Sequence, residues 1–175
     1  PTEWLFFLRP GIRFHDGSRL TSADVKFSLE RTARLNRKDF GTIKQVEVID
    51  ELTFRVITVT PDPMLPSRFV PMGFIVPVKA VDAAGGPEKY FSGTNISGFG
   101  PYRLAKWEQD KSGEMDAYVD YYGPKPSLKR LVMVFEPSLE RRVRLLLAGE
   151  LDIVGDLPDI MSFEVQKNGK ANVLK

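Results

Sequence analysis

The chain has 175 residues, 42% of them hydrophobic and 27% charged, a balance that fits a globular protein and excludes wholesale disorder. Its 25 Lys and Arg exceed its 23 Asp and Glu by only two, too slight an excess for a nucleic-acid footprint. With no cysteine and one histidine, disulfides, thiolate metal sites and cysteine nucleophiles are excluded, and little remains from which to build a catalytic base or a metal cluster.

In chain order, "TEWLFFLR" alternates Trp4, Phe6 and Leu8 against Leu5 and Phe7, the pattern of a strand covered on both faces. Pro10-Gly11 turns it, "IRF" resumes extension and "HDGS" breaks it again. Thr21 with Asp24 three residues later forms a capping box, which predicts a helix from Ser22 to about Leu35. Its buried stripe is Val25, Ser28, Leu29, Thr32 and Ala33, with Lys26, Glu30 and Arg34 toward water. "IKQVEVIDELTFRVITV" reads as a hairpin turning at Asp50-Glu51. The prolines from Pro61 to Pro77 each remove a backbone donor and limit that stretch to a short helix and a short buried strand.

"VKAVDAA" and "PEKYF" are short helices separated by Gly85-Gly86. After the loop "SGTNISGFG", "PYRLAKWEQ" and "GEMDAYVDYY" form a second antiparallel pair, and "LKRLVMVFE" is a further strand. Ser138 caps a helix that runs to about Ala148 and ends at Gly149. "ELDIVGDLP" as strand and turn, "DIMSFEVQKNG" as helix and "ANVLK" as strand complete a βαβαβ alternation, the opening of a parallel sheet. Beginning at Pro1 with no methionine, the sequence reads as a piece of something longer. No apolar run approaches the roughly 18 to 20 residues that span a bilayer, and no signal peptide is visible.

Chemistry-bearing residues are few. His15-Asp16-Gly17 has no adjacent nucleophile or metal partner, and its residues suit a tight turn leading to the Thr21 cap. Lys125, Lys129, Arg130, Arg141, Arg142 and Arg144 are spaced as a solvated basic face rather than a converging anion site. Asp156 and Asp159 lack the regular oxygen spacing of a calcium loop and read as a turn and a helix start. Tyr118, Tyr121 and Tyr122 read as packing residues. "NISGFGPYRL" differs from these: Gly98 and Gly100 allow close backbone approach and Pro101 blocks helix, so main chain is presented just before a strand.

Four segments, "FFLRPGIRFHDGSRLTSADVKFSLERT", "GFGPYRLAKWE", "YVDYYGPKPSLKRLVMVFEPS" and "RRVRLLLAGELDIV", together resemble successive landmarks of the family 5 extracellular solute-binding proteins, the peptide and nickel receptors of ABC importers. The resemblance implies an α/β (mixed α+β) fold, a fragment of a two-lobed, periplasmic-binding-protein-like type II fold with an accessory subdomain. Residues 1–80 are then the accessory subdomain of lobe I, 81–127 part of binding lobe I, and 128–175 the hinge crossing, near "KPSLKRL", with the start of lobe II. It also implies that the neighbourhood of His15 and Asp16 is a structural turn.

On the same resemblance the protein is a non-catalytic extracytoplasmic receptor, capturing oligopeptides or a related small solute. Its ligand contacts in this chain are Phe99, Gly100 and Tyr102. Phe99 departs from the small or polar residue usual before Gly100, which favours an apolar surface there. No cofactor, metal or nucleic acid is expected. The partners are the ligand and an ABC permease in the inner membrane, the location is periplasmic or extracellular, and a lipid anchor is left open. The native protein is expected to be a monomer, whereas the fragment, with apolar faces uncovered, is expected to self-associate. The alternative is the ligand-sensing module of a transcriptional regulator. A hydrolase or metal enzyme built on Asp16, Asp152 or Asp156 lacks the triad or ligand cluster it needs.

Overall fold

The computed structural model describes residues 1–173. They form two compact units, one of residues 1–107 with 114–132 and the other of residues 108–113 with the chain from Met133 onward. In the first unit, β1 (Glu3–Phe7), β2 (Ile43–Val48) and β3 (Thr53–Thr58) make an antiparallel sheet in the order β1-β3-β2. The register sets Phe6 opposite Phe54 and Val46 opposite Val56, so one face is a continuous apolar surface.

α1 (Ser22–Leu35) lies on that face, and its bounds are those the capping box predicts. The Asp24 carboxylate accepts hydrogen bonds from the Thr21 N–H at 2.9 Å and the Thr21 hydroxyl at 2.7 Å. Val25 and Leu29 enter the core beside Phe14, Phe40, Val46, Phe54, Val56 and Leu65. Each such side chain contributes about 1.5–3 kcal/mol by leaving water. Lys26 and Glu30 are not simply turned to water. Lys26 donates to Glu30 at 2.8 Å and to the Val46 carbonyl at 2.6 Å, pinning the helix to β2.

β1 is covered on one face, not two. Trp4 and Phe6 are half-buried against the core, while Leu5 and Phe7 are 53% and 74% exposed. As an edge strand β1 alternates between the core and the outside, and nothing in its own unit covers the outer face. α2 (Arg37–Phe40) follows α1, and α3 (Leu65–Met72) carries the proline-rich stretch. The short buried strand expected before Pro77 is absent: residues 73–77 are irregular and pair with no strand. α4 (Val78–Ala83) and α5 (Pro87–Ser92) match the two short helices, with Gly85 and Gly86 at φ 83° and 113° between them.

A second sheet takes β4 (Tyr102–Glu108), β5 (Ser112–Ala117) and β6 (Arg130–Val134) in that order. β5 stops at Ala117, short of the expected Tyr122, because the chain turns at residues 119–120, just after the buried Tyr118. In the second unit α6 (Leu139–Ala148) begins at Ser138, whose hydroxyl accepts from the Arg141 N–H at 3.2 Å, and ends at Gly149 with φ 77°. α7 (Asp159–Asn168) follows. The βαβαβ alternation does not form among the described residues. Residues 151–157 make no strand, with Ile153 85% exposed, because a ladder needs a neighbouring strand to bond. The last expected strand is absent over residues 171–173 and otherwise lies outside the described residues.

Candidate functional site

The segment from Asn95 to Gly100 has no regular structure of its own, and its shape comes from side chains distant in sequence. The Ser97 N–H donates to the Tyr90 hydroxyl at 2.8 Å, and the Asp16 N–H donates to the Ser97 hydroxyl at 3.1 Å. His15 holds Gly98 and Gly100. Its N–H donates to the Gly98 carbonyl at 2.7 Å, and its Nδ1 accepts from the Gly98 N–H at 3.3 Å. With Nδ1 accepting, Nε2 carries a proton and donates to the Gly100 carbonyl at 3.0 Å. Tyr118 packs edge-on against the imidazole at 4.9 Å and donates its hydroxyl to the Phe14 carbonyl at 3.0 Å.

These bonds occupy Ser97, Gly98 and the Gly100 carbonyl. The Phe99 N–H and C=O and the Gly100 N–H have no hydrogen-bond partner among the described residues. The Phe99 ring meets Phe14 edge-on at 5.7 Å and Tyr122 at 6.5 Å. The loop is therefore rigid at its ends and presents unused main chain at its middle.

That main chain borders a cavity of about 590 Å³. Phe74, Ile75, Val76, Phe91, Ile96 and Phe99 supply its apolar walls, and α1 contributes Arg31. Two bonds fasten residues 76–78 to α1. The Val76 N–H donates to the Ser28 hydroxyl at 3.1 Å, and the Val78 N–H donates to the Asp24 carboxylate at 2.8 Å. Size and lining fit a small organic solute. A second cavity of about 440 Å³, lined among others by His15, Asp16, Arg103 and Asp116, adjoins Asn95–Ser97 and mixes charged with apolar side chains.

Phe99 and Gly100 line the larger cavity, whereas Tyr102, half-buried at the start of β4, does not. At Asp16, the carboxylate accepts from the Ser18 N–H at 2.9 Å and the Ser18 hydroxyl at 2.6 Å, and Gly17 takes φ 85°. The expected turn is there, and the histidine beside it does more by clasping a loop more than eighty positions away. Three of the basic residues have partners of their own: Arg130 pairs with Glu114, Arg141 pairs with Glu136 at 3.0 Å, and Arg142 donates to the Pro137 carbonyl at 3.4 Å, while Lys125, Lys129 and Arg144 are exposed. Asp156 takes φ 55° in the irregular stretch before α7, and Asp159 opens α7. Tyr121 and Tyr122 pack on each other at 4.7 Å. Arg31, Phe91 and the residues 73–76 are the functional candidates that sequence patterning misses, because their common cavity exists only through long-range packing.

Burial raises the Tyr90 and Tyr118 hydroxyls above the ordinary tyrosine range, the desolvated phenolate being the disfavoured form. Because folding raises both values, the associated stability is complete below the ordinary tyrosine pKa and is lost as pH rises through the folded one. Ultraviolet titration is expected to show these two phenols ionising together with alkaline unfolding. Tyr118→Phe is expected to flatten the alkaline limb of stability, and an unchanged limb would contradict the assignment.

The model of the bacterial extracellular solute-binding proteins, family 5 Middle, matches residues 1–175. The chain belongs to this family, one of extracellular binding proteins. It is 29% identical over 171 residues to the glutathione-binding protein GsiB of Pectobacterium atrosepticum, covering 93% of this chain and 32% of the relative. It is 27% identical over 176 residues to di/tripeptide-binding protein 4 of Pseudomonas aeruginosa, covering 86% and 33%. Among solved structures it resembles the binding protein AgaA of A. tumefaciens R10 in complex with agropinic acid, at 29% identity and a TM-score of 0.84, covering 95% of this chain and 34% of that one. The mixed α/β fold is thus that of the periplasmic binding proteins. The chain spans about a third of the length of the curated relatives it matches.

Proposed function

We propose that this chain is part of an extracytoplasmic receptor that captures an oligopeptide or a related small solute between two lobes and delivers it to an ABC permease. The observation that carries the reading is the unbonded Phe99 N–H and C=O and Gly100 N–H, flanked by groups that His15 holds, beside an apolar cavity in a family 5 chain. An extended ligand gains hydrogen bonds from such main chain irrespective of its side chains, as in strand addition, and an apolar cavity accepts a side chain. Relatives named for binding glutathione and di- or tripeptides support this substrate class.

In this reading residues 1–80 form the accessory subdomain, 81–127 part of the first binding lobe, and 128–175 the crossing and start of the second. Phe99, Gly100 and Tyr102 are its ligand contacts, Tyr102 from the strand that continues out of the loop. Binding energy shared between lobes sets the open-to-closed population, and no catalytic step is involved. The location is periplasmic or extracellular, and among the described residues no helix is long and apolar enough to cross a membrane. Mass spectrometry of small molecules copurified with the full-length protein, followed by calorimetry with candidate tripeptides, tests the proposal. Stoichiometric binding of a peptide or related solute is the expected result, and failure to bind any small solute would refute it.

A further inference from the structure

Among the described residues Arg31 is the one charged side chain lining the larger cavity. Its guanidinium sits over the Phe91 ring, 3.9 Å from the centroid, and is half-buried. Among the described residues it has no carboxylate partner. Its neighbours one helical turn away on α1 are Phe27, Ser28, Arg34 and Leu35, none of them acidic. A guanidinium held by an aromatic ring has lost part of its rotational freedom beforehand, and its fork of N–H donors matches a carboxylate in two parallel bonds. Such a cation, unpaired at an apolar cavity, has its electrostatic attraction strengthened by the poorly solvated wall.

We infer that Arg31 anchors a carboxylate of the bound solute, while the walls formed by Ile75, Phe91, Ile96 and Phe99 enclose an apolar part of the same molecule. The inference rests on the receptor reading above and narrows its substrate class to peptides or peptide-like acids with an apolar side chain. One guanidinium balances a single negative charge, which suits a carboxylate and leaves a phosphate dianion undercompensated. The unbonded Phe99 N–H and C=O and the Gly100 N–H on the same cavity supply the remaining polar contacts.

Calorimetry of the full-length chain with the tripeptide Ala-Phe-Ala and with its C-terminal amide provides the test, in the wild type, Arg31→Gln and Arg31→Lys. The expected wild-type preference for the acid is about tenfold or more, the range of a hydrogen bond to a charged group. Arg31→Gln is expected to bring the acid-to-amide ratio close to one. Arg31→Lys, which keeps a charge and loses the fork, is expected to retain part of the ratio, and it serves alone should the glutamine variant fail a thermal-melt control. A ratio unaffected by either substitution overturns the Arg31 assignment and leaves the receptor reading standing. Binding of neither probe to the wild type overturns the narrowed substrate class and its Arg31 anchor, whereas the receptor reading falls only if no copurified or candidate solute binds.

Discussion

Phe14→Ala is expected to destabilise the protein by about 3–5 kcal/mol, the range for removing a fully buried aromatic side chain. Phe14 is 0% exposed and belongs to the cluster that includes Ile12, Leu20, Val25 and Leu29. Its ring also meets Phe99 edge-on at 5.7 Å, and its carbonyl accepts the Tyr118 hydroxyl at 3.0 Å. The same residue therefore joins the core to the candidate site. Phe14→Leu preserves most of the volume and is expected to cost only about 1–1.5 kcal/mol. Urea unfolding followed by circular dichroism measures both, and calorimetry on the leucine variant separates stability from affinity. Loss of the edge contact is expected to loosen Phe99 and weaken ligand binding even where the fold survives. An alanine variant within 1 kcal/mol of wild type would show that Phe14 is not part of the core.

What could be read in the sequence divides by the range of the interactions involved. α1, the β2–β3 hairpin and α6 follow from residues within a few positions of one another: Thr21 with Asp24, the turn at Asp50, and Ser138 with Gly149. β1 shows the limit of patterning. Its apolar residues alternate on both faces, and the sequence does not tell that Leu5 and Phe7 are left outside. Residues 151–157 carry strand-like composition, yet a strand is a property of a pair and no partner lies among the described residues. The site divides in the same way. Gly98, Gly100 and Pro101 announce an exposed main chain, and Phe99 an apolar one, whereas the clasp from His15 and the placing of Arg31 over Phe91 depend on tertiary contacts. Arg31 is also one position outside the predicted buried stripe, so helical periodicity files it with solvent.

The largest polar effect is expected at Asp62, in the proline-rich stretch where patterning offers least. Asp62 is 6% exposed, and its carboxylate accepts hydrogen bonds from the Thr42 hydroxyl and from Arg68. Its N–H donates to the Pro1 carbonyl at 3.1 Å and its carbonyl accepts from the Leu65 N–H at 3.3 Å. One residue thus ties the start of α3 to the chain entering β2 and to the first residue of β1's approach. Asp62→Ala leaves the Arg68 charge without its partner, with the Arg68 Nε already buried and unbonded. Removing one member of a buried pair costs about 3–5 kcal/mol, and the lower end applies because the Arg68 side chain is 31% exposed and recovers some hydration. Adding Arg68→Met removes the orphaned charge along with its partner. The double variant is accordingly expected to be more stable than Asp62→Ala alone, a non-additivity that urea unfolding of the four members of the cycle resolves. Simple addition of the two single effects would show instead that Asp62 and Arg68 act on the fold independently, and that the segment is held by its prolines and by Leu65 alone.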